Sequence, residues 1–166
     1  MTFGNLTVPS PAIVLDEIIR GLNDGWLWNE LSITIITLTT GFVIASVIGI
    51  PIGIWLGSSQ QLRDVFEPIL LGGYSIPKVT LYPIFLIVLG ITVNTRVAFG
   101  AIHGVYPVLI LTIGGMQAVK EVHLKVGRSF NTTRWQTFSE IIVPSLLPFL
   151  VTGLRLGYSL TFIGVI

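Results

Sequence analysis

Lys78, His103 and Arg155 lie within long apolar stretches of this 166-residue chain, and Glu67 lies at the end of one. A charge near mid-bilayer costs about 2.5–3.5 kcal/mol on insertion scales, so such a residue faces a bundle interior or water. Lys78 has the clearest chemical use. It follows Pro77, about twelve residues into an apolar stretch over 66–91. That is deep for snorkelling, and a cation beside a broken helix can meet an anionic solute in a translocation pathway. The competing reading is that the stretch is re-entrant there and Lys78 simply reaches the headgroups. Arg155 is nearer the end of its stretch, where snorkelling or pairing with a neighbouring helix suffices. His103, between Gly100 and Gly104, reads as an interhelical hydrogen-bond donor rather than a ligand. No phosphate loop, H-E-x-x-H or G-x-S-x-G is present, and zero Cys excludes thiolate metal sites and Cys nucleophiles. The expectation is a non-enzyme with no catalytic residue, metal or cofactor of its own.

The connection at 118–144 is the second chemically informative stretch. Val126, Phe130, Trp135, Phe138, Ile141 and Ile142 recur roughly at helical spacing, with Lys125, Arg128, Arg134 and Gln136 between them. Thr133 followed three residues later by Gln136 is a capping-box signature, which predicts helix, break near Asn131 and Thr132, then helix. Aromatic residues on a cationic helix want a partner groove; the alternative is a helix lying flat on the membrane.

The elements that hold these residues are set by composition. Hydrophobic residues make up 52% and charged residues only 10%, against about a quarter charged in a soluble domain, and none falls within 31–62. A soluble globular domain is thereby excluded. The basic residues form no face with interleaved aromatics, so the net charge of +1 implies no nucleic acid. The first nineteen residues hold no Lys or Arg, which argues against a cleavable signal peptide. Four apolar segments, 31–56, 66–91, 97–119 and 141–166, are each long enough to span. Pro68, Pro77 and Pro83 predict that the second is kinked or broken, a disruption that survives only where neighbouring groups satisfy the freed carbonyls. Gly49/Gly53/Gly57, Gly100/Gly104 and Gly153/Gly157 read as close helix packing. Residues 1–30 read as an outward-facing amphipathic helix starting near Pro11 and anchored by Trp26 and Trp28. Arg63, Lys120, Lys125, Arg128 and Arg134 lie on two connections on one side, against Arg20 and Arg96 on the other. This places the 118–144 loop in the cytoplasm.

The run from Ser129 through Phe138 to Ile141-Ile142-Val143-Pro144, then Leu147-Pro148 and Gly153-Leu154-Arg155-Leu156-Gly157, resembles the cytoplasmic EAA loop and following helix of bacterial ABC importer permeases. Ser75-Ile76-Pro77-Lys78-Val79 with Leu81-Tyr82-Pro83, and Pro9-Ser10-Pro11, resemble the nitrate/sulfonate/taurine branch. The resemblance implies an all-α polytopic membrane protein, four spans of a type I importer, in the bacterial or archaeal inner membrane. It also implies a second permease subunit forming a homodimer, an extracytoplasmic solute-binding protein, and a separate ATPase gripped by the loop. Counting back from Pro144, the family's Glu-Ala-Ala falls on Lys125, Val126 and Gly127 and its Gly on Asn131; a register starting at Glu121 leaves Pro144 four residues too far on. Lys125 thus reverses a charge, while Asn131 is compatible with the left-handed turn. Lys125, Gly127, Asn131, Arg134, Trp135 and Pro144 are the implied ATPase-coupling residues. The family's first and last helices have no counterpart here, so the chain reads as a partial permease. Its rivals are a fragment of an ion-coupled secondary transporter, which would want paired intramembrane carboxylates, and a non-transporting membrane scaffold.

Overall fold

Proline and glycine mark where the helices of this chain begin and turn. The computed structural model describes residues 9–119, 125, 127 and 129–166. Two units are distinguished, residues 1–36 and 37–166.

In the first unit, α1 (Pro11–Asp24) starts on a proline after an extended Ser10 and ends at Gly25, whose φ of 79° is left-handed. Proline suits the first turn because its missing N–H has no helical partner there anyway. The next helix, α2 (Trp26–Gly57), begins at once. The Trp26 ring lies where a Cβ on Gly21 would stand, at 2.8 Å, so Gly21 lets the indole seat against α1. Val14, Leu15, Ile18, Ile19 and Leu22 leave an exposed apolar stripe, and Arg20 pairs with Asp16 at 3.0 Å among the polar positions. The amphipathic helix expected near Pro11 is therefore present.

The second unit holds the rest of α2, then α3 (Gln60–Ser75), a 3-10 turn (Lys78–Leu81), α4 (Tyr82–Leu89), α5 (Val93–Ala118) and α6 (Arg134–Val165). No strand occurs among the described residues. Three helices, α2, α5 and α6, are long and apolar enough to cross a membrane. The expected second span is a bent pair, α3 followed by Lys78–Leu89, with 78° between its halves. Only one of its prolines breaks it. Pro68 lies inside α3 and Pro83 in the first turn of α4, but Pro77 forces Ile76 into an extended conformation (φ −65°, ψ 130°) and ends α3.

The last helix also differs from the hydropathy boundary at 141. It starts at Arg134, where the Thr133–Gln136 capping box closes in both directions, and continues through a π turn, Thr137–Ile142, into Val143–Val165. Pro144 lies just beyond that turn. Proline offers no N–H to the preceding carbonyls, and a widened turn accommodates the mismatch without ending the helix. The loop's second helix and the final span are thus one element. Before it, Asn131 has a φ of 51°, the positive value found among described non-glycine residues.

The axis of the second unit is α5, which buries Thr95, Phe99, His103, Val108, Thr112 and Ile113 among others. Glycine faces bring its neighbours close. Along α2, Gly49 meets Val108, Gly53 meets Thr112 and Gly57 meets Met116, where an added Cβ would fall 2.9, 2.6 and 2.5 Å from those side chains. On the other side, Gly157 of α6 lies against Val108 and the Gly104 carbonyl, and Gly164 against Gly100 and His103. Ala45, Gly104 and Thr161 form the point where all three helices meet, and Ala45 and Thr161 are completely buried. Thr161 and Thr112 spend their hydroxyls on the carbonyls of Gly157 (2.8 Å) and Val108 (2.6 Å), so these buried polar groups are satisfied within their own helices.

Two outcomes follow from this packing. Gly104→Val should cost about 1–3 kcal/mol through overpacking at the three-helix junction. Gly114→Ala, on the same helix with nothing within 4 Å of an added Cβ, should gain roughly 0.5–1 kcal/mol. Thermal midpoints in detergent separate them, and equal midpoints would refute the packing assignment. At the turn, Asn131→Val should cost about 1–2 kcal/mol for a β-branched residue in left-handed geometry, whereas Asn131→Gly preserves it. Amide exchange at Thr132 and Thr133 reads this locally and should accelerate only in the valine variant.

Candidate functional site

The break at Pro77 buries Lys78, whose relative exposure is 9%. Its ammonium donates to the Tyr74 carbonyl at 3.0 Å, one of the last carbonyls of α3. This is the position at which a helix lacks an amide partner and favours a cation. The same nitrogen lies 4.4 Å from the centroid of the Tyr74 ring and 4.7 Å from that of Tyr106 on α5. Lys78 is therefore held between two aromatic faces, with no carboxylate of a described residue within 4.0 Å; the ion pair found among those residues is Arg20 with Asp16. The sequence reading of Lys78 named neither of these two rings.

The seam continues along both partners. Phe99, His103 and Tyr106 recur at helical spacing on α5 and face the break. Phe99 packs on Tyr82 and Phe85, with ring centroids 4.8 and 5.4 Å apart. His103 is buried, stacks edge-on to Phe99 at 4.5 Å, and has its Nδ1 3.0 Å from the Phe99 carbonyl. That bond lies within its own helix, so the expected interhelical hydrogen bond from His103 is not the one formed through Nδ1. Instead the ring lies where Gly164 of α6 leaves room. Arg155 is exposed on α6. Glu67 accepts a hydrogen bond from the Gln117 side chain at 3.1 Å, tying α3 to the end of α5. Elsewhere, an apolar groove of about 500 Å³ between α2 and α5, lined by Ile44, Val97 and Ala101 with Asn94 as its polar member, offers a solute no charge.

The 118–144 connection holds the second set. Lys120, Val126 and Arg128 lie outside the described residues, as does His123. Gly127 is buried, and its carbonyl accepts from the Phe130 amide (3.2 Å), the Thr132 amide (3.1 Å) and the Thr132 hydroxyl (3.0 Å). A Cβ there would fall 2.7 Å from Ile141, so Gly127 lets the turn fold back against α6. Lys125 is exposed, and its carbonyl accepts from Ser129 Oγ at 3.1 Å. Asn131 turns the chain, the Thr132 and Thr137 hydroxyls lie 2.9 Å apart, and the Thr133 amide donates to Gln136 Oε1 at 2.8 Å. This network fixes Arg134 and Trp135 at the exposed start of α6. Phe130 and Trp135 are 78% and 72% exposed, values that mark a presented surface rather than a core, and Trp135 leans on Phe138 at 6.0 Å. Gly127, Asn131, Arg134 and Trp135 thus belong to one compact turn, while Pro144 serves the helix behind it.

Tyr74, Gly73 and Tyr106 are the site residues that sequence reasoning missed. Tyr74 is four residues before Lys78, a spacing that a search for local partners would have picked out. Tyr106 carries no such signal, because it reaches Lys78 only through the crossing of α3 and α5.

The described residues thus hold two candidate sites, the buried cation at the break and the aromatic, cationic turn ahead of α6. The chain is similar to the taurine transport system permease protein TauC of Escherichia coli K12, at 27% identity over 92% of this chain and 57% of the relative. It is similar to the nitrate import permease protein NrtB of Synechocystis PCC 6803, at 29% over 96% and 61%. A third relative is the formylaminopyrimidine transport permease protein ThiX of Halalkalibacterium halodurans, at 26% over 95% and 62%. The chain spans about three-fifths of the length of these relatives. Residues 49–166, which contain both candidate sites, match the binding-protein-dependent transport system inner membrane component, and the chain belongs to that family.

Proposed function

We propose that this chain is the membrane-spanning permease subunit of an ATP-binding cassette importer, working with a second permease copy, an extracytoplasmic solute-binding protein and a separate ATPase. It resides in the cytoplasmic membrane with the 118–144 loop on the cytoplasmic side. The observation that carries the reading is the turn of residues 127 and 129–136, where Phe130 is exposed ahead of the Thr133–Gln136 cap and Arg134 and Trp135 are exposed just after it. Exposed aromatics on a turn closed by its own hydrogen bonds suit a partner groove, because little backbone freedom is left to lose on docking. Lys125, Gly127, Asn131, Arg134 and Trp135 form the coupling element, with Pro144 and the π turn connecting it to the span.

The solute is a small anion of the nitrate, sulfonate or taurine kind, or a related heterocyclic precursor, and Lys78 lies on its pathway. The names of relatives support this range, since they include permease proteins for taurine, nitrate, bicarbonate and aliphatic sulfonates as well as formylaminopyrimidine. A secondary transporter is disfavoured because the second unit offers no paired carboxylates within the described spans.

The test is solute-stimulated ATP hydrolysis in a reconstituted complex of permease, ATPase and binding protein, with nitrate and taurine as trial solutes. Trp135→Ala should lower stimulated hydrolysis by about tenfold, the order of one lost interface anchor, while leaving the thermal midpoint of the permease unchanged. A Trp135→Ala complex with full stimulation, or a wild-type chain that retains no ATPase on purification, would overturn the proposal.

A further inference from the structure

Lys78 is a buried charge of the second unit with no carboxylate of a described residue beside it. An ammonium has three N–H donors, and the contacts described spend one of them on the Tyr74 carbonyl. The ring faces of Tyr74 and Tyr106 stabilise the positive charge but supply no counter-charge. Burial at 9% exposure, within a bent pair of apolar helices, makes an unneutralised cation costly. What the group lacks is an anion, and no side chain of a described residue supplies one within 4.0 Å.

We infer that Tyr74, Lys78 and Tyr106 form a binding site for a small monovalent oxyanion at the break between α3 and the 3-10 turn. Tyr74, 40% exposed, lies on the outer side of the ammonium; Tyr106, half-buried on α5, lies on the inner side. The rings are 6.1 Å apart between centroids, with 36° between their planes. Tyr106 can come this close because residue 73 is glycine, where a Cβ would stand 3.0 Å from the tyrosine hydroxyl. The turn that carries Lys78 is closed, since the Thr80 amide and hydroxyl both donate to the Pro77 carbonyl, at 3.0 and 2.7 Å. Such confinement suits an anion with a compact head, such as a planar or tetrahedral oxyanion, rather than an extended polyanion. An arriving oxyanion takes the remaining ammonium protons while the ammonium keeps its cap on Tyr74. This deepens, and rests on, the proposed placement of Lys78 on the solute pathway. It adds the two tyrosines and the place of contact, the break after α3.

The same chemistry would be met by a lipid phosphate, so the experiment separates the two sources. The full chain is placed in nanodiscs of zwitterionic phosphatidylcholine, with no ATPase or binding protein, and titrated with sodium nitrate while the 15N resonance of the Lys78 ammonium is followed. Sodium gluconate, at the same ionic strength, is the control for general salt effects. Nitrate should produce a saturable shift that gluconate does not reproduce. Tyr106→Leu should weaken the midpoint at least tenfold and Lys78→Arg should retain saturable binding, read on the side chain at position 78. Absence of saturation with nitrate, or an unchanged midpoint in Tyr106→Leu, overturns the site. A Lys78 shift on replacing phosphatidylcholine by phosphatidylglycerol without nitrate assigns the partner to headgroups and also overturns it. Because the ATPase is absent, saturable nitrate binding in a chain whose complex shows no solute-stimulated hydrolysis upholds the site and rejects the importer. Stimulated hydrolysis without such binding does the reverse.

Discussion

A hydrocarbon layer has no water to offer a freed carbonyl, so each interruption of a helix inside or beside it has to bring its own donor. That requirement bears on the break at Pro77, and polar side chains close freed carbonyls at the other turns of the second unit as well. Where α2 ends, Arg63 reaches back to the Gly57 carbonyl at 3.0 Å and Ser58 to that of Trp55 at 2.7 Å. Where α3 ends, Lys78 takes the Tyr74 carbonyl and Ser75 that of Leu71. Between α4 and α5, Thr95 donates to the Gly90 carbonyl at 2.6 Å. Ahead of α6, Thr132 does the same for Gly127. The breaks are therefore defined pieces of structure, and Arg63, Ser58, Lys78, Ser75, Thr95 and Thr132 each bond a backbone carbonyl there.

The same constraint explains why the helices pack through glycine. In lipid, burying apolar surface between helices gains little, because the lipid is equally apolar, and close van der Waals contact and local hydrogen bonds must hold the bundle. Small residues on α2 and α6 let both approach α5 closely, and threonines at the contacts keep their hydroxyls on their own helices. With α5 gripped from two sides, its third face, Phe99, His103 and Tyr106, is presented to the break in a fixed register. Lys78 meets Tyr106 because that register is held.

Features governed by residues close in the chain were legible in advance. The Thr133–Gln136 box, the left-handed turn at Asn131 and the start of α1 at Pro11 are decided by one or two neighbouring residues, and each stands where its local chemistry places it. The glycine repeats were equally readable as packing, though not which helix each would face. Hydropathy alone set the last span at 141, because 134–140 is polar; in three dimensions that polar stretch is the first two turns of the same helix. Of three prolines in the second span, only Pro77 breaks it. Ser75, Lys78 and Thr80 lie around that break to satisfy its carbonyls, and composition by itself does not reveal such pairing. The Tyr106 contact was illegible for a stronger reason, since it depends on the crossing of elements about thirty residues apart in the chain.

The continuity of α6 gives the two candidate sites a physical relation. Trp135 stands in its first turn, and from there the helix runs without a break, widened by the π turn, to Gly157, Thr161 and Gly164. Those three residues touch α5 at Gly104, Gly100 and His103. Tyr106, less than one turn along α5 from His103, holds one face of Lys78. A contiguous set of close contacts therefore joins the exposed turn to the buried cation, with glycine where the backbones approach most closely. Tight packing transmits displacement because there is no slack to absorb it. In such a chain the π turn is the mechanically distinctive step: whereas Pro148 further on is carried within α-helix, the π turn has i→i+5 geometry and lies between the presented aromatics and the packed span. Pro144 keeps it there, since a proline after that turn removes the N–H that a regular α-helical register would require.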